Sequence, residues 1–145
     1  EKTLMQVTPL NLGAGMVLVV AIAVGANQRA SVWDGVYTAA QAQRGAPLYE
    51  KDCAECHGAD LSGGEMAPSL VGDEFVWTWN GLSVGELFER LRVSMPQGLP
   101  GRVSRQAKAD ILAFMLAMNG FPPGDTELVS RTERLARIDF LVEQP

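Results

Sequence analysis

The chain has 145 residues, 47% hydrophobic and 20% charged, which suits one globular domain with extensions. Its net charge of −5 and its lack of a lysine-rich run argue against nucleic acid as a partner. Both cysteines and the only histidine fall within five consecutive residues, so no disulfide framework is left to find elsewhere.

The first stretch, Thr3 to Gln28, carries no charge, and Met16 to Val24 is continuously apolar or small. Residues 1–30 admit two readings. One is a signal peptide, with small residues at Val24-Gly25-Ala26 for cleavage. The other is an uncleaved anchor in which a helix over residues 9–26 just reaches across a thin bilayer, against which Asn11 and three glycines count. Either sends the rest of the chain out of the cytoplasm. Asn27 to Tyr37 reads as a linker. Thr38 to Cys53, rich in Ala and Gln, predicts a helix. Gly45, Tyr49 and Cys53 are spaced by four and share one of its faces.

That helix leads into Cys53-Ala54-Glu55-Cys56-His57, the C-x-x-C-H spacing of covalent haem attachment. One helical turn sets two thiols on one side, suited to two vinyl groups of one porphyrin, and holds the next residue, His57, beneath the iron. The alternatives are weaker. A thioredoxin-like pair needs a strand-and-helix alternation that is missing. A structural zinc site needs four ligands where three cysteine or histidine residues exist. A Cys53–Cys56 disulfide leaves the histidine unexplained.

Gly58 to Gly72 predicts a loop containing Pro68, eleven residues past His57. The Pro68 carbonyl is placed to accept the proton on the far ring nitrogen of His57 and fix its tautomer. Phe75, Trp77 and Trp79 come next; such aromatics belong to a core, although an indole N–H also suits a buried haem propionate. Ser83 and Glu86 form a capping box, opening a helix with Leu87, Phe88 and Leu91 inward. That helix must stop before Pro96, leaving Met95 in a short loop stiffened by prolines and glycines. Ser104 caps a last helix reaching about Asn119, with Ile111, Met115 and Met118 on one face. The tail to Pro145 reads as an extension packed over the domain or onto a partner.

With one histidine, the sixth iron position falls to methionine, water or nothing. Met115 and Met118 sit at core spacing, and Met5 and Met16 precede the domain. Of the loop methionines, Met66 lies nine residues from His57 and Met95 lies 38, enough chain to wrap to the opposite porphyrin face. Met95 is therefore preferred. Charge is also segregated: Glu50 to Glu74 holds seven acids and one base, while Arg90 to Lys108 holds five bases and no acid. This means either two separately solvated surfaces or a basic rim that steers an acidic redox partner.

From Ser31 to Phe121 the chain resembles class I c-type cytochromes, above all those associated with quinoprotein alcohol dehydrogenases. The resemblance rests on Ser31-Val32-Trp33-Asp34-Gly35-Val36-Tyr37, Cys53 to Gly58, Ala67-Pro68-Ser69-Leu70-Val71-Gly72, Ser94-Met95-Pro96 and Ala109-Asp110-Ile111-Leu112-Ala113-Phe114. It implies an all-α fold of three to four helices around one haem c bound through Cys53 and Cys56, with the first and last helices crossing. Gly45 and Tyr49 match contact positions on the first helix, and Ile111 and Phe114 on the last. His57 and Met95 match the axial ligands, Pro68 the orienting carbonyl and Trp79 a propionate-binding aromatic. The organisation implied is a leader or anchor over residues 1–30, a cytochrome domain over 31–121 and an extension over 122–145. The function implied is a periplasmic electron carrier rather than an enzyme. Its partners would be redox proteins such as a quinoprotein dehydrogenase or a respiratory complex. The competing reading, a gas-binding or peroxide-reactive haem protein, needs an open distal site and lacks a distal histidine or acid–base pair to support it.

Overall fold

A computed structural model describes residues 29–145; residues 1–28 of the proposed leader or anchor lie outside the described residues. Among the described residues no helix is long and apolar enough to cross a membrane. The chain runs β1 (Ala30–Ser31), α1 (Ala39–Asp52), α2 (Ala54–His57), α3 (Gly72–Trp79), α4 (Val84–Ser94), a 3-10 turn (Pro100–Arg102), α5 (Arg105–Met118), α6 (Thr132–Leu135) and β2 (Ile138–Asp139). Among the described residues four helices have eight residues or more, and two are single turns. These residues are all-α apart from one two-stranded ladder, in keeping with a class I cytochrome c.

Local chemistry sets the helix starts. The Thr38 hydroxyl accepts from the Gln41 N–H at 3.1 Å to open α1, and the Ser104 hydroxyl accepts from Ala107 at 3.1 Å to open α5. At α4 both halves of the capping box are made: Ser83 Oγ accepts from Glu86 N, and the Glu86 carboxylate accepts from Ser83 N at 2.7 Å. In α3, residues two apart point in nearly opposite directions and residues four apart align. Phe75 and Trp79 therefore meet, ring centroids 6.4 Å apart, while Trp77 is 58% exposed.

The first and last long helices, α1 and α5, make the most extensive contact between elements. Gly45 permits it: a Cβ there would lie 2.0 Å from the Asp110 carbonyl oxygen, so the two backbones touch with no side chain between them. Beside this crossing, Gln41 is fully buried with its amide satisfied. It donates to Asp110 Oδ1 (3.1 Å) and the Leu128 carbonyl (2.9 Å), and accepts from the Leu128 N–H (2.8 Å). Ile111, Leu112 and Met115 fill the inner face of α5, whereas Met118, expected on that face, is substantially exposed at the helix end.

The segments on either side of the helices belong to the core. Val32 and Tyr37 are buried, and the Tyr37 hydroxyl donates to the Phe121 carbonyl at 2.6 Å, so this stretch does not behave as the linker expected of it. The tail packs over the domain, burying Leu128, Leu135 and Phe140. Its β2 pairs in parallel with β1, Ala30 opposite Ile138 and Ser31 opposite Asp139. Phe140 meets Phe75 and Phe121 edge to face, with centroids 6.1 and 5.2 Å apart.

Candidate haem site

The motif begins where α1 ends. Cys53 is the C-cap of α1 and the N-cap of α2, whose single turn carries Cys56 and His57. The two cysteines form no disulfide, Cys53 half-buried and Cys56 exposed. Burial, helped by the neighbouring Asp52 carboxylate, pushes the Cys53 thiol up to about 11. At neutral pH it is an S–H group. It is unlike the activated thiolate of a redox pair.

His57 is 7% exposed, and its Nδ1 lies 2.9 Å from the Pro68 carbonyl oxygen. A carbonyl only accepts, so Nδ1 carries the proton and Nε2 presents a lone pair. That is the tautomer of an imidazole ready to coordinate a metal. The predicted orienting role of Pro68 therefore has the geometry it requires.

The loop beneath His57 is shaped to bring that carbonyl in. The Gly63 N–H donates to the His57 carbonyl (2.8 Å), Gly64 to Ala67 (2.9 Å) and Leu70 to Leu61 (2.8 Å). At Gly63, φ is +79°, and a Cβ would lie 2.5 Å from Ser69 N and 2.7 Å from the Pro68 carbonyl carbon, so only glycine lets the strands of the loop pass. Leu61 takes φ +64° while fully buried, a backbone cost on the order of 1 kcal/mol offset by its burial. Two outside contacts hold the loop. The Tyr49 hydroxyl donates to the Gly58 carbonyl at 2.7 Å. Asn119, at the end of α5, donates to the Leu70 carbonyl at 2.9 Å and accepts from Gly72 N at 3.1 Å. Tyr49 also packs on Phe114, centroids 5.4 Å apart, which joins the expected contact positions of the first and last helices.

The methionines fall into distinct environments. Met115 is core, and Met66 is 81% exposed in the loop after the motif. Met95 is half-buried at the C-cap of α4, its N–H donating to Leu91 at 3.2 Å, and it opens the turn to α5 as the proline rule predicts. Trp79 is half-buried against Phe75. Among the described residues no three His, Cys, Asp or Glu side chains gather as they would around a zinc ion. The residues present fit a covalently held haem: two cysteines one turn apart, a buried imidazole with Nδ1 against a carbonyl, and a methionine in the turn after α4.

Sequence reasoning missed several supporting side chains. Asp52, beside Cys53, is nearly buried and paired with Arg102 at 2.5 Å, which ties the 3-10 turn to the motif. The basic block from Arg90 to Lys108 is largely consumed by such contacts. Arg92 pairs with Glu89, Arg105 donates to the Ser130 carbonyl at 3.0 Å and stacks over Phe88, and Lys108 is buried. These contacts leave fewer free bases for a steering rim, and the Arg102–Asp52 pair links the basic stretch to the acidic one. The only sequence signal was charge, which says nothing of pairing.

Comparison with known proteins bears on the same stretch. No curated protein matches the chain. Among solved structures it is similar to the sulfane dehydrogenase SoxCD from Paracoccus pantotrophus, with 21% identity and a TM-score of 0.48; the match covers 74% of this chain and 61% of that one, less than two thirds of its length. Residues 40–115 match the family model described as cytochrome C oxidase, cbb3-type, subunit III. That match takes in more than half of the chain, from the start of α1 through the motif and the Met95 turn into α5, and the chain accordingly belongs to this family of c-type cytochromes.

Proposed function

We propose that the protein is a periplasmic mono-haem cytochrome that passes single electrons between redox proteins and is not an enzyme in its own right. Family membership implies covalently bound haem c and an electron-carrying role. One haem is the reading because there is one C-x-x-C-H and one histidine. Cys53 and Cys56 would form the thioethers, His57 and Met95 would be the axial ligands, and Trp79 would serve a propionate. Bound haem supplies one-electron exchange between ferric and ferrous iron.

The observation that carries the reading is the 2.9 Å contact between His57 Nδ1 and the Pro68 carbonyl. It supports His57 as an axial ligand: with Nδ1 held on that carbonyl, Nε2 would be left for a metal, made a better donor and kept in place, as a carrier with permanent ligands needs. The exposed Cys56 sets the attachment side at the surface, where a partner can approach. Electron donor and acceptor are redox proteins of the kind found in a respiratory complex or beside a quinoprotein dehydrogenase, with residues 9–26 available for membrane association or removal.

Two substitutions test the ligand set. Met95→Ala should abolish the methionine-to-iron charge-transfer band of the oxidised protein. It should also lower the reduction potential by on the order of 0.1 V or more, a fraction of the ~0.8 V span that axial ligation sets. Met66→Ala should change neither. Retention of the band in Met95→Ala, or its loss in Met66→Ala, would reassign the sixth ligand.

A further inference from the structure

The turn that carries Met95 is bracketed by a residue the function does not explain. Lys108, on α5, is 3% exposed, and its Nζ donates to the Arg92 carbonyl at 3.1 Å and the Pro100 carbonyl at 2.7 Å. These two carbonyls stand at either end of residues 93–99. The first is a natural orphan. In a continuing helix the carbonyl of residue 92 would accept from the N–H of residue 96, and residue 96 is proline, which has none. Lys108 supplies the missing donor from a different helix. It also places a cation at the C-terminal end of α4, where the helix dipole favours one.

Among the described residues the Lys108 ammonium pairs with no carboxylate, so these carbonyls are its hydrogen-bond partners. Burying an ammonium for two backbone carbonyls is costly, and burial duly draws its pKa down. Lys108 holds one particular turn, from the Arg92 carbonyl to that of Pro100. On the Arg102 side the same turn is pinned to Asp52, next to Cys53.

We infer that Lys108 is a positioning residue that latches the 93–99 turn, so that the Met95 thioether stays at the iron. This rests on Met95 being the ligand proposed above. Lys108 does not touch the reacting centre; it acts by making the turn slow to open.

The test is displacement of the native ligand by imidazole in the oxidised holoprotein, monitored through the charge-transfer band. Lys108→Met should keep its covalently bound haem and its band at rest. Imidazole should displace the ligand at least about tenfold faster than in the parent, given that two charge-assisted hydrogen bonds are lost. Lys108→Gln, which keeps a donor, should fall between. A folded Lys108→Met whose displacement rate equals the parent's overturns the latch. If instead the band survives in Met95→Ala, the ligand assignment itself has failed, and the two failures are thereby distinguished. Should neither Lys108 variant fold, amide hydrogen exchange in the unaltered holoprotein decides. The Leu99 and Arg102 amides exchanging as slowly as the α5 core supports the latch, and exchange orders of magnitude faster overturns it.

Discussion

At Gly45 two helices approach with nothing but backbone between them, and the consequence is concrete. Any Cβ there meets the Asp110 carbonyl oxygen at 2.0 Å and its carbon at 2.6 Å, and neither can rotate away as a side chain would. Gly45→Ala must therefore push α1 and α5 apart. It should destabilise the protein by about 3 kcal/mol or prevent folding, at the upper end of what overpacking costs. Gly101→Ala, with nothing within 4 Å of a new Cβ, should stay within about 0.5 kcal/mol of the parent; urea unfolding midpoints check both. Gly45, His57 and Pro68 stood out in the sequence: Gly45 by sharing a face with Tyr49 and Cys53 and by the family resemblance, His57 by the C-x-x-C-H spacing, and Pro68 by its place in the loop eleven residues on. Lys108 was not. In the sequence it is one of five bases, and whether a lysine is solvated or buried between two carbonyls depends on a fold that charge cannot disclose.

Among the elements, α4 has the clearest dependence on a few atoms, and it delivers Met95. Its capping box holds the Glu86 carboxylate below the ordinary glutamate range, through hydrogen bonds from the Ser83 backbone and hydroxyl. The folded pKa is depressed, so this contribution is complete above about pH 4.5, the unfolded range, and is lost as pH falls through the lowered value. Ser83→Ala should cost about 1 kcal/mol at neutral pH. Its gap from the parent should narrow in unfolding curves as pH is lowered below about 4.5. The box, the Ser104 cap and the stop before Pro96 were all readable, because each is a local rule satisfied by residues within four positions. The nature of α3 was not readable in that way: Phe75, Trp77 and Trp79 alternate, a spacing that suits a strand, and only tertiary packing selects the Phe75–Trp79 face.

Over the whole molecule, the tail contributes what a boundary drawn at residue 121 would leave out. Phe140 is fully buried between Phe75 and Phe121, and it is joined to the α3–α4 turn by its N–H to the Leu82 carbonyl (2.8 Å) and its carbonyl to Gly81 N (2.9 Å). Phe140→Ala should cost about 3–5 kcal/mol, read as a lowered thermal midpoint of the holoprotein with its haem still attached. The sequence could show an apolar run there, but not that it closes the same core as residues a hundred positions earlier. The ladder between β1 and β2 carries that closure to the other end. Arg29 reaches Asp139 at 2.8 Å and the Ala136 carbonyl at 2.6 Å, and the Val32 N–H meets the Asp139 carbonyl at 3.0 Å. Arg29 and β1 are thus clasped by the stretch from Ala136 to Asp139, and Phe140, the next residue, carries that grip into the aromatic interior, so a load on one edge of this body is shared by both of its sequence-distant ends.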